Sequence, residues 1–258
     1  MRLKDKVVLV TGSTTGIGEA IARRAVAEGA HVLIHGRNAE AGESLVEELG
    51  KAAHFYADDL ADPDCAPRLI GAAIEHFGRL DALCNNAAFI AKGDLASTDA
   101  ALFDRVMAIN VRAPLLLIRE AMPHLLASRG CVLNIGSINC YCGEAKLLAY
   151  SLSKAALQTM SRNLADAYGR SGVRINHFTV GWVLSENEYR LKISEGLPED
   201  WPDHPPLEYV PSGKMTRPED VAGAAIYWLS DESRPFSGNV VELEQYPMIG
   251  RNALKEGE

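Results

Sequence analysis

The chain has 258 residues and a formal net charge of −8, so it is long enough to bury a large hydrophobic core. No run of Lys and Arg is typical of a surface that follows a phosphate backbone, which argues against nucleic acid as a partner. No apolar run is long enough to cross a bilayer, and the N-terminal residues do not resemble a signal peptide, so no membrane association is expected.

The five cysteines indicate free thiols in a reducing, cytoplasmic location. Cys84 and Cys131 lie in apolar segments, whereas Cys65, Cys140 and Cys142 are predicted in or near loops. Cys140 and Cys142 have no second pair and no nearby His at a metal-binding spacing, so they are interpreted as small apolar fillers. No metal site is predicted.

A strand–turn–helix–strand unit opens the chain. Val7 to Val10 form a strand-like run, a helical pattern covers 17–26, and His31 to Ile34 form a second strand-like run. The turn between the first strand and the helix reads Thr11-Gly12-Ser13-Thr14-Thr15-Gly16-Ile17-Gly18. Such a turn brings bare backbone close to a phosphate and points a helix N-terminus at its charge. The unit predicts a dinucleotide site; the alternative is an ordinary loop with a capping Ser or Thr.

The remaining chain alternates between helical and strand-like patterns. Helical patterns cover 39–50, 64–77, 99–109, 112–128, 152–170 and 218–229, and strand-like runs cover 53–57, 81–84, 130–136, 173–178 and 239–243. This alternation predicts one α/β domain over 1–258, a Rossmann-type doubly wound parallel sheet of about seven strands with helices on both faces. The region 184–216 is rich in Pro and aromatic residues and is predicted to be a substrate lid, with a surface excursion as the alternative.

Tyr150 and Lys154 are predicted to carry the chemistry. They are four residues apart at the start of a helical pattern, so they share one face of that helix. A free phenol has a pKa of about 10, and a neighbouring ammonium group lowers that value and favours the phenolate. The pair is then suited to exchange a proton with an alcohol or carbonyl oxygen. The alternative is a chance pairing on a solvated helix.

The order and spacing of these landmarks resemble the classical type of short-chain dehydrogenase/reductase over nearly the whole chain. The resemblance rests on the glycine turn, on Asp59, on Asn85-Asn86-Ala87-Ala88, and on four separated polar residues. It implies a catalytic tetrad of Asn110, Ser137, Tyr150 and Lys154. It also implies that the cofactor contacts Gly12, Ser13, Thr14, Thr15, Gly16, Ile17, Gly18, Arg37, Asp59, Leu60, Asn86, Ala87, Ala88, Tyr150, Lys154, Val183 and Ser185.

The resemblance also implies a role for each tetrad member. Tyr150 is the acid/base, and Ser137 hydrogen-bonds the reacting oxygen. Lys154 binds the nicotinamide ribose and tunes Tyr150, while Asn110 helps to hold a water that links Lys154 to solvent. Members of the family are commonly tetramers that pack through helices corresponding to 112–128 and 152–170, so a homotetramer is expected.

Three positions depart from the family pattern. Ala88 stands where Gly is usual, and Val180-Gly181 replaces Pro-Gly after the sixth strand, which makes that turn less rigid. Glu244-Gln245-Tyr246-Pro247 replaces the common Asp-Gly-Gly after the last strand. The C-terminal tail is therefore expected to have a role of its own.

The residues after the second strand favour NADP over NAD. NAD-preferring members carry an acid there, whereas this chain has Gly36 followed by Arg37. An absent carboxylate removes repulsion toward a 2′-phosphate, and a guanidinium suits it. His35 is expected to add charge when protonated. The alternative is that Arg37 stacks over the adenine or points to solvent, with NAD as the cofactor.

The predicted function is an NAD(P)-dependent oxidoreductase that interconverts a secondary alcohol and a ketone of a small molecule. The polar residues of the lid and of the stretch after Ser137 favour a sugar or polyol over a lipid. A 3-oxoacyl-type or other carbonyl reductase is one alternative, and a non-catalytic, cofactor-binding sensor is another. A sugar-nucleotide epimerase or dehydratase is disfavoured, because those relatives carry a substantial C-terminal substrate domain.

Overall fold

The structure is a computed structural model, and it describes residues 1–141 and 143–247. Cys142, interpreted above as an apolar filler, and residues 248–258 lie outside the described part. Within that part, no helix is both long enough and apolar enough to span a bilayer.

A seven-stranded parallel sheet forms the centre of the molecule, with the strand order β3-β2-β1-β4-β5-β6-β7. The strands are β1 (Val7–Val10), β2 (His31–Gly36), β3 (Ala53–Ala57), β4 (Ala82–Asn85), β5 (Cys131–Ile135), β6 (Arg174–Val180) and β7 (Val240–Leu243). The helices are α1 (Gly16–Ala27), α2 (Ala39–Leu49), α3 (Cys65–Phe77), α4 (Ala100–Met107), α5 (Ala113–Ser128), α6 (Leu148–Gly169), α7 (Glu186–Ser194) and α8 (Pro218–Leu229). The predicted doubly wound parallel sheet is confirmed.

Alternating side chains of the strands supply two separate cores. In β1, Val8 and Val10 pack with α1 and α8 on one face, while Val7 and Leu9 pack with α3 and α5 on the other. Successive side chains of a strand point to opposite faces. A strand that is covered on both faces therefore reads as a continuous apolar run, as the sequence of β1 does.

The strand order reverses between β1 and β4, which both lie at the centre of the sheet. In an open parallel sheet, the crevice at such a reversal lies beyond the carboxyl ends of the strands and is where ligands bind. The glycine turn follows β1, and Asn85 is the last residue of β4. The fold thus brings the two segments to the same crevice.

The main differences from the predicted elements lie near the crevice. Helix α6 begins at Leu148, so Tyr150 lies within its first turn. A π-helical turn over Ala108–Arg112 joins α4 to α5 and contains Asn110. The region 184–216, expected to be irregular, contains helix α7. Cys65 is the buried first residue of α3 and does not lie in a loop.

Candidate active site

The glycine turn is fixed by backbone conformation and by close packing. Gly12 and Gly16 have φ values of 62° and 59°, a region that favours glycine. A Cβ atom on Gly12 would lie 2.9 Å from the Cα of Ala87, and one on Gly18 would lie 2.4 Å from Nδ2 of Asn86. The turn therefore has no space for side chains at Gly12 and Gly18.

Helix α1 begins in this turn, and its first N–H groups are not capped by a side chain. Thr15 is the N-cap residue, and its hydroxyl makes no capping hydrogen bond. The first N–H groups of a helix have no partner inside the helix and carry partial positive charge. Gly16 and Ile17 lie at this helix start, so the turn presents backbone donors that suit a phosphate.

Ser13 and His35 join the turn to β2. The Ser13 hydroxyl donates to the carbonyl oxygen of Val10 at 2.7 Å and accepts from the backbone N–H of His35 at 3.0 Å. Nδ1 of His35 accepts from the Gly12 N–H at 3.1 Å, which leaves Nε2 to donate to the carbonyl oxygen of Asp58 at 3.2 Å. Ser13 is fully buried, so its side chain supports the turn from inside.

The expectation that His35 adds positive charge is wrong for this structure. Both of its ring nitrogens are engaged, and burial lowers the pKa of His35. The imidazole is therefore neutral at neutral pH. Arg37 is exposed beside it and remains the cation at this position.

Gly36 packs directly against Thr14. A Cβ atom on Gly36 would lie 2.6 Å from Cγ2 and 2.8 Å from Oγ1 of Thr14. The end of β2 thus touches the glycine turn at this point. Any side chain at position 36 has to displace Thr14.

The residues after β3 divide into a structural acid and an exposed acid. Asp58 forms a bidentate ion pair with Arg68, at 2.7 and 2.8 Å. Asp59 is exposed and accepts from the N–H of Ala61 at 3.0 Å, while the Leu60 side chain is buried in the core. Asp59 rather than Asp58 is therefore the acid that faces outward after β3.

The Asn-Asn-Ala-Ala segment is bonded to the glycine turn. Nδ2 of Asn86 donates to the carbonyl oxygens of Thr11 and Gly12 at 2.9 and 3.1 Å. The Thr11 hydroxyl accepts from the N–H groups of Asn86 and Ala87 at 3.0 and 3.1 Å. Ala88 is exposed. These bonds hold the two sides of the crevice together.

Ser137, Tyr150 and Lys154 come together where β5 and α6 meet. The Ser137 side chain is close enough to Tyr150 to act on its pKa, and Nζ of Lys154 lies 5.6 Å from the centre of the Tyr150 ring. Lys154 donates to the carbonyl oxygen of Ile135 at 2.8 Å. All three side chains are buried.

Asn110 lies behind this group and bonds to two other segments. Its Oδ1 accepts from the N–H of Phe89 at 2.7 Å, and its Nδ2 donates to the Phe89 carbonyl oxygen and to the Ser153 hydroxyl, both at 3.0 Å. Ser153 lies on α6, between Tyr150 and Lys154 in sequence. The amide therefore links the π-helical turn, the segment after β4 and the helix that carries Tyr150.

Burial dominates the acid–base properties of Tyr150 and Lys154. It raises the pKa of Tyr150 to about 12, although the Ser137 side chain acts in the opposite direction. It lowers the pKa of Lys154 to about 8. The expected lowering of the Tyr150 pKa by Lys154 is thus absent in this structure, because removing the phenolate from water costs more than its neighbours return.

Val183 and Ser185 lie beside the glycine turn. Val183 pairs with Thr216 in a parallel bridge, and Ser185 caps α7 by accepting from the N–H of Glu188 at 3.2 Å. The Cβ of Ser185 lies 3.5 Å from the position that a Cβ on Gly16 would occupy. The start of the region 184–216 therefore borders the same crevice.

The aromatic rings of Trp182 and Trp201 near α7 stack on each other and do not form an open stacking surface. Trp182 and Trp201 stack on each other with ring centres 5.4 Å apart, and Trp201 is buried with Val210 and Met215. Nε1 of Trp182 donates to Glu188 at 2.8 Å. These groups stabilise the region itself, because stacked aromatic rings bury a large apolar area and attract each other.

A chain of buried polar side chains near the tetrad was missed from the sequence. Nδ2 of Asn85 donates to Asn134 at 2.8 Å, Asn134 donates to Ser161 at 2.8 Å, and Ser161 lies 3.1 Å from Nδ1 of His177. His177 is fully buried, and its Nε2 has no hydrogen-bond partner. The signal in the sequence was an Asn at the end of β4, an Asn within the apolar β5 and a His within β6.

The family model for short chain dehydrogenase matches residues 6–195. The chain belongs to this family. It is 33% identical to 2-(S)-hydroxypropyl-CoM dehydrogenase 3 of Xanthobacter autotrophicus, over 92% of this chain and 94% of that protein. It is 30% identical to meso-2,3-butanediol dehydrogenase of Serratia marcescens, over 95% of both chains, and 31% identical to sorbitol dehydrogenase of Cereibacter sphaeroides, over 90% and 93%.

Membership of the short-chain dehydrogenase family establishes the class of reaction. The protein is an oxidoreductase that acts on CH–OH groups of a small-molecule substrate and uses a nicotinamide cofactor, NAD or NADP. The predicted family, fold and enzyme class are confirmed.

Proposed function

We propose that this protein interconverts a secondary alcohol and a ketone by hydride transfer, with NADP favoured as the cofactor and a sugar or polyol as the substrate. The observation that carries the proposal is the convergence of Ser137, Tyr150 and Lys154 where β5 and α6 meet, in a parallel sheet whose glycine turn follows β1. The turn supplies a dinucleotide site, and the three side chains supply a proton donor and its electrostatic surroundings.

The described residues fit a nicotinamide dinucleotide. Bare backbone at Gly12 and Gly16 and the uncapped start of α1 suit its pyrophosphate. Asp59 is exposed where the adenine is expected, and Val183 and Ser185 border the other end of the crevice. The residues proposed to hold the cofactor are Gly12, Ser13, Thr14, Thr15, Gly16, Ile17, Gly18, Arg37, Asp59, Leu60, Asn86, Ala87, Ala88, Tyr150, Lys154, Val183 and Ser185.

Two of these residues contribute in a modified way. The Ser13 side chain is occupied with Val10 and His35, and its N–H donates to the His35 carbonyl oxygen at 2.8 Å, so Ser13 is proposed to act chiefly by holding the turn in shape. The Leu60 side chain belongs to the core, which leaves its main chain as the contacting part.

The proton chemistry is assigned to Tyr150 and Ser137. The Tyr150 hydroxyl gives a proton to the carbonyl oxygen in reduction and takes it back in oxidation. Ser137 hydrogen-bonds the same oxygen and holds it against Tyr150. When bound, a nicotinamide cofactor supplies or accepts the hydride, and its oxidised ring carries a positive charge that favours a phenolate.

Lys154 and Asn110 support this exchange. Lys154 adds positive charge beside the Tyr150 ring and is held by the carbonyl oxygen of Ile135. Asn110 uses its amide to fix Phe89 and Ser153, which leaves its main chain as the part that would hold a water. Asn110 is therefore proposed to act chiefly by positioning the helix that carries Tyr150 and Lys154.

The preference for NADP is supported by the end of β2. Gly36 offers no carboxylate to a ribose 2′-hydroxyl, and the exposed Arg37 follows it. A guanidinium binds a phosphate through charge-assisted hydrogen bonds. The neutral His35 contributes no charge, so the proposal for NADP depends on Arg37.

The preference for a polar substrate is supported by the stretch after Ser137 and by two relatives. Glu144 and Lys146 are exposed and Asn139 is half-buried in this stretch, and Glu144 is close enough to Tyr150 to raise its pKa. Relatives are named for butanediol and sorbitol. The second candidate is a carbonyl reductase that acts on 3-oxoacyl or other apolar ketones. We expect polyols to be the preferred substrates over these ketones.

The region 184–216 is proposed to be the lid over the substrate, within one domain over 1–258. The small core of Trp201, Val210 and Met215 gives this lid a shape of its own. A cytoplasmic location is proposed as well, and free thiols at Cys65, Cys84, Cys131 and Cys140 support it.

The proposal is tested by Tyr150→Phe, with turnover followed at the absorbance band of reduced nicotinamide. The substrates are a panel of sugars, polyols, acyl thioesters and steroid ketones, each with NADP and with NAD. The variant is expected to lose more than about 99% of kcat while binding the cofactor nearly as well, because a general acid contributes about 10²–10⁴-fold. Full activity of the variant would reject the assignment, and an inactive wild type that still binds cofactor would favour a sensor.

A further inference from the structure

The two residues that follow β7 bond to both ends of the proposed lid. Oε2 of Glu244 accepts from the N–H of Trp182 at 3.3 Å, where the chain leaves β6. A Cβ atom on Gly181 would lie 1.8 Å from the same oxygen, so the carboxylate sits directly against that backbone. The N–H of Gly181 also donates to the carbonyl oxygen of Leu243 at 3.0 Å. The first end of the lid is thus held against the last strand.

Gln245 holds the second end. Its Oε1 accepts from the N–H and the hydroxyl of Ser212, at 3.2 and 2.6 Å. Its Nε2 donates to the carbonyl oxygen of Lys214 at 2.7 Å and approaches the Thr216 hydroxyl at 3.4 Å. One amide therefore uses both its acceptor and its donors on the segment where the lid returns to α8.

The two ends of the lid are also bonded to each other. Leu184 donates its N–H to the carbonyl oxygen of Thr216 at 2.8 Å, and Val183 pairs with Thr216. A shift of 212–216 is therefore transmitted to Val183 and to the adjoining Ser185. These are the residues proposed to contact the nicotinamide end of the cofactor.

Between its ends, the lid packs mainly on itself. Trp201, Val210 and Met215 are buried together, and Trp182, Leu184 and Tyr189 pack around them. Polar contacts also join the middle of the lid to the rest of the domain, since Asn187 donates to the Thr15 hydroxyl at 3.4 Å and Lys92 pairs with Glu195. A segment with its own small core is suited to move as one body about its ends.

We propose that Glu244 and Gln245 are positioning residues that anchor both ends of the lid and thereby set the seating of Val183 and Ser185. This inference rests on the proposed function only in assigning Val183 and Ser185 to the cofactor side. The segment after β7, which replaces the Asp-Gly-Gly common in the family, would then have a specific role, which is to anchor the lid. Loss of the Gln245 amide is expected to loosen the returning end of the lid while the sheet remains intact.

The test is Gln245→Ala, compared with Asn239→Ala as a matched control. Asn239 carries the same amide just before β7, where it bonds to Asn176 and Ser237 at the end remote from the lid. The folded variants are digested briefly with trypsin, which within the lid cleaves after Arg190, Lys192 and Lys214. The dissociation constants of NADP and NAD are measured by titration calorimetry.

Gln245→Ala is expected to speed cleavage at Lys192 and Lys214 by about tenfold, equivalent to about 1.4 kcal/mol in the opening of the lid. It is also expected to weaken cofactor binding several-fold, with little change in the urea midpoint of global unfolding. Asn239→Ala is expected to leave the rate of lid cleavage unchanged. Gln245→Glu keeps the acceptor oxygen for Ser212 and loses the donor to Lys214, so it should give an intermediate cleavage rate.

The anchoring role of Gln245 would be rejected if the cleavage rates and cofactor affinities of Gln245→Ala lay within about twofold of those of Asn239→Ala. Faster cleavage spread over the whole chain, together with a lower unfolding midpoint, would also overturn it, because that pattern indicates general destabilisation. The proteolysis readout does not require turnover. An active Tyr150→Phe variant would therefore reject the proposed function and leave the result on the anchor intact.

Discussion

Burial has opposite consequences for Tyr150 and Lys154 at neutral pH: it favours the neutral phenol of Tyr150 and opposes the charged ammonium of Lys154. At neutral pH Tyr150 is a neutral phenol with a pKa raised to about 12, and Lys154 is an ammonium whose pKa is lowered to about 8. The free-energy cost of burying the charged Lys154 side chain is partly offset by its hydrogen bond to the carbonyl oxygen of Ile135. A buried charge of this kind is retained at a cost in stability when it serves a function.

Lys154→Met is therefore expected to abolish turnover and to increase stability at neutral pH. A pKa of about 8 in the folded state, against 10.5 when unfolded, corresponds to about 3 kcal/mol of unfavourable free energy. The variant also loses the hydrogen bond to Ile135, which reduces this gain in stability by about 1 kcal/mol. The free energy of unfolding at pH 7 should thus rise by about 2 kcal/mol, as measured by urea denaturation.

The sign of the pH dependence follows from the lowered pKa. Below pH 8 Lys154 is charged in both the folded and the unfolded state, so the folded wild type includes the full free-energy cost of the buried ammonium. As the pH rises from 8 toward 10.5, the folded state releases its proton first, and the cost disappears. The advantage of Lys154→Met should therefore shrink over this range. A variant that is less stable than the wild type by the same amount at pH 7 and pH 10 would contradict the assignment.

Arg37→Ala is expected to raise the KM for NADP by about tenfold, since a charged hydrogen bond contributes about 1.5–3 kcal/mol and Arg37 is exposed. The KM for NAD should change little, because NAD lacks the 2′-phosphate. Initial rates with each cofactor give the comparison. Equal effects on both cofactors would show that Arg37 does not distinguish them.

Reversal of the preference requires a change at Thr14 as well as at Gly36. A carboxylate at position 36 suits the 2′-hydroxyl of NAD, but its Cβ would meet the Thr14 side chain at 2.6 Å. We expect Thr14→Ala combined with Gly36→Asp to favour NAD, whereas Gly36→Asp alone should lower stability. Thr14→Ala alone is the control for the space created. A double variant that still prefers NADP would reject this view of the turn.

At this scale the sequence predicted which residues meet, but not how each one is used. The spacing of Tyr150 and Lys154 put both residues on one helix, and the order of the glycines put the turn at the start of α1, as the structure has them. Spacing carries no information on which hydrogen-bonding groups are already occupied, as for Ser13, His35 and Asn110. It also does not reveal contacts between distant segments, such as the packing of Gly36 on Thr14.

At the scale of elements, the sheet was predictable because its strands are covered on both faces. Continuous apolar runs mark such strands, as in β1, which was predicted with the observed bounds. The bounds of the edge strand β3 and of helix α8 were also predicted as observed. Helix α7 was missed because none of its residues is buried, so it has no apolar periodicity. Its signal was the capping residue Ser185 with two acids in the first turn.

A buried histidine on β6, where this strand packs against α6, is expected to control the free energy of unfolding at acidic pH. Burial lowers the pKa of His177 to about 3, from an ordinary value of 6.5. Above pH 6.5 the ring is neutral in both states and contributes nothing to the pH dependence. As the pH falls from 6.5 to 3, the unfolded state binds a proton that the folded state does not, so stability is lost.

His177→Leu is expected to remove this loss, which amounts to about 3 kcal/mol between pH 7 and pH 4. Urea denaturation at both pH values measures the difference. Ser161→Ala is the matched control, because it removes the hydrogen bond to Nδ1 and keeps the titrating ring. It should lower stability at both pH values and preserve the slope. Identical pH dependence in the wild type and in His177→Leu would exclude His177 as the cause.

At the scale of the whole molecule, most apolar residues of α5 and α6, the helices expected to join subunits, belong to the core of the single chain. Ala113, Ala121 and Leu125 of α5 are buried, and Leu116, Met160 and Leu164 are partly buried against the same core. Helical periodicity identifies an apolar face and does not say which neighbour covers it. The large apolar side chains that remain exposed on α4, α5 and α6 are Phe103, Leu115, Leu126 and Leu152.

These exposed leucines allow a sharper test of the proposed homotetramer. Leu115 on α5 and Leu152 on α6 are 44% and 49% exposed, so each presents apolar area to a neighbouring molecule. If α5 and α6 pack against their copies, burying a carboxylate at Leu115 or Leu152 has no compensating partner. The double variant Leu115→Glu with Leu152→Glu should therefore sediment or scatter light as a smaller species than the wild type.

Leu95→Glu is the control for this measurement. Leu95 is 88% exposed and precedes α4, so it undergoes the same chemical change away from the two helices. It should keep the mass of the wild type. A wild-type protein that scatters light as a stable monomer would reject the tetramer, and so would a double variant of unchanged mass. Dissociation confined to the α5 and α6 variant would instead locate the contact on these helices, because only there does the carboxylate enter a surface that assembly removes from water.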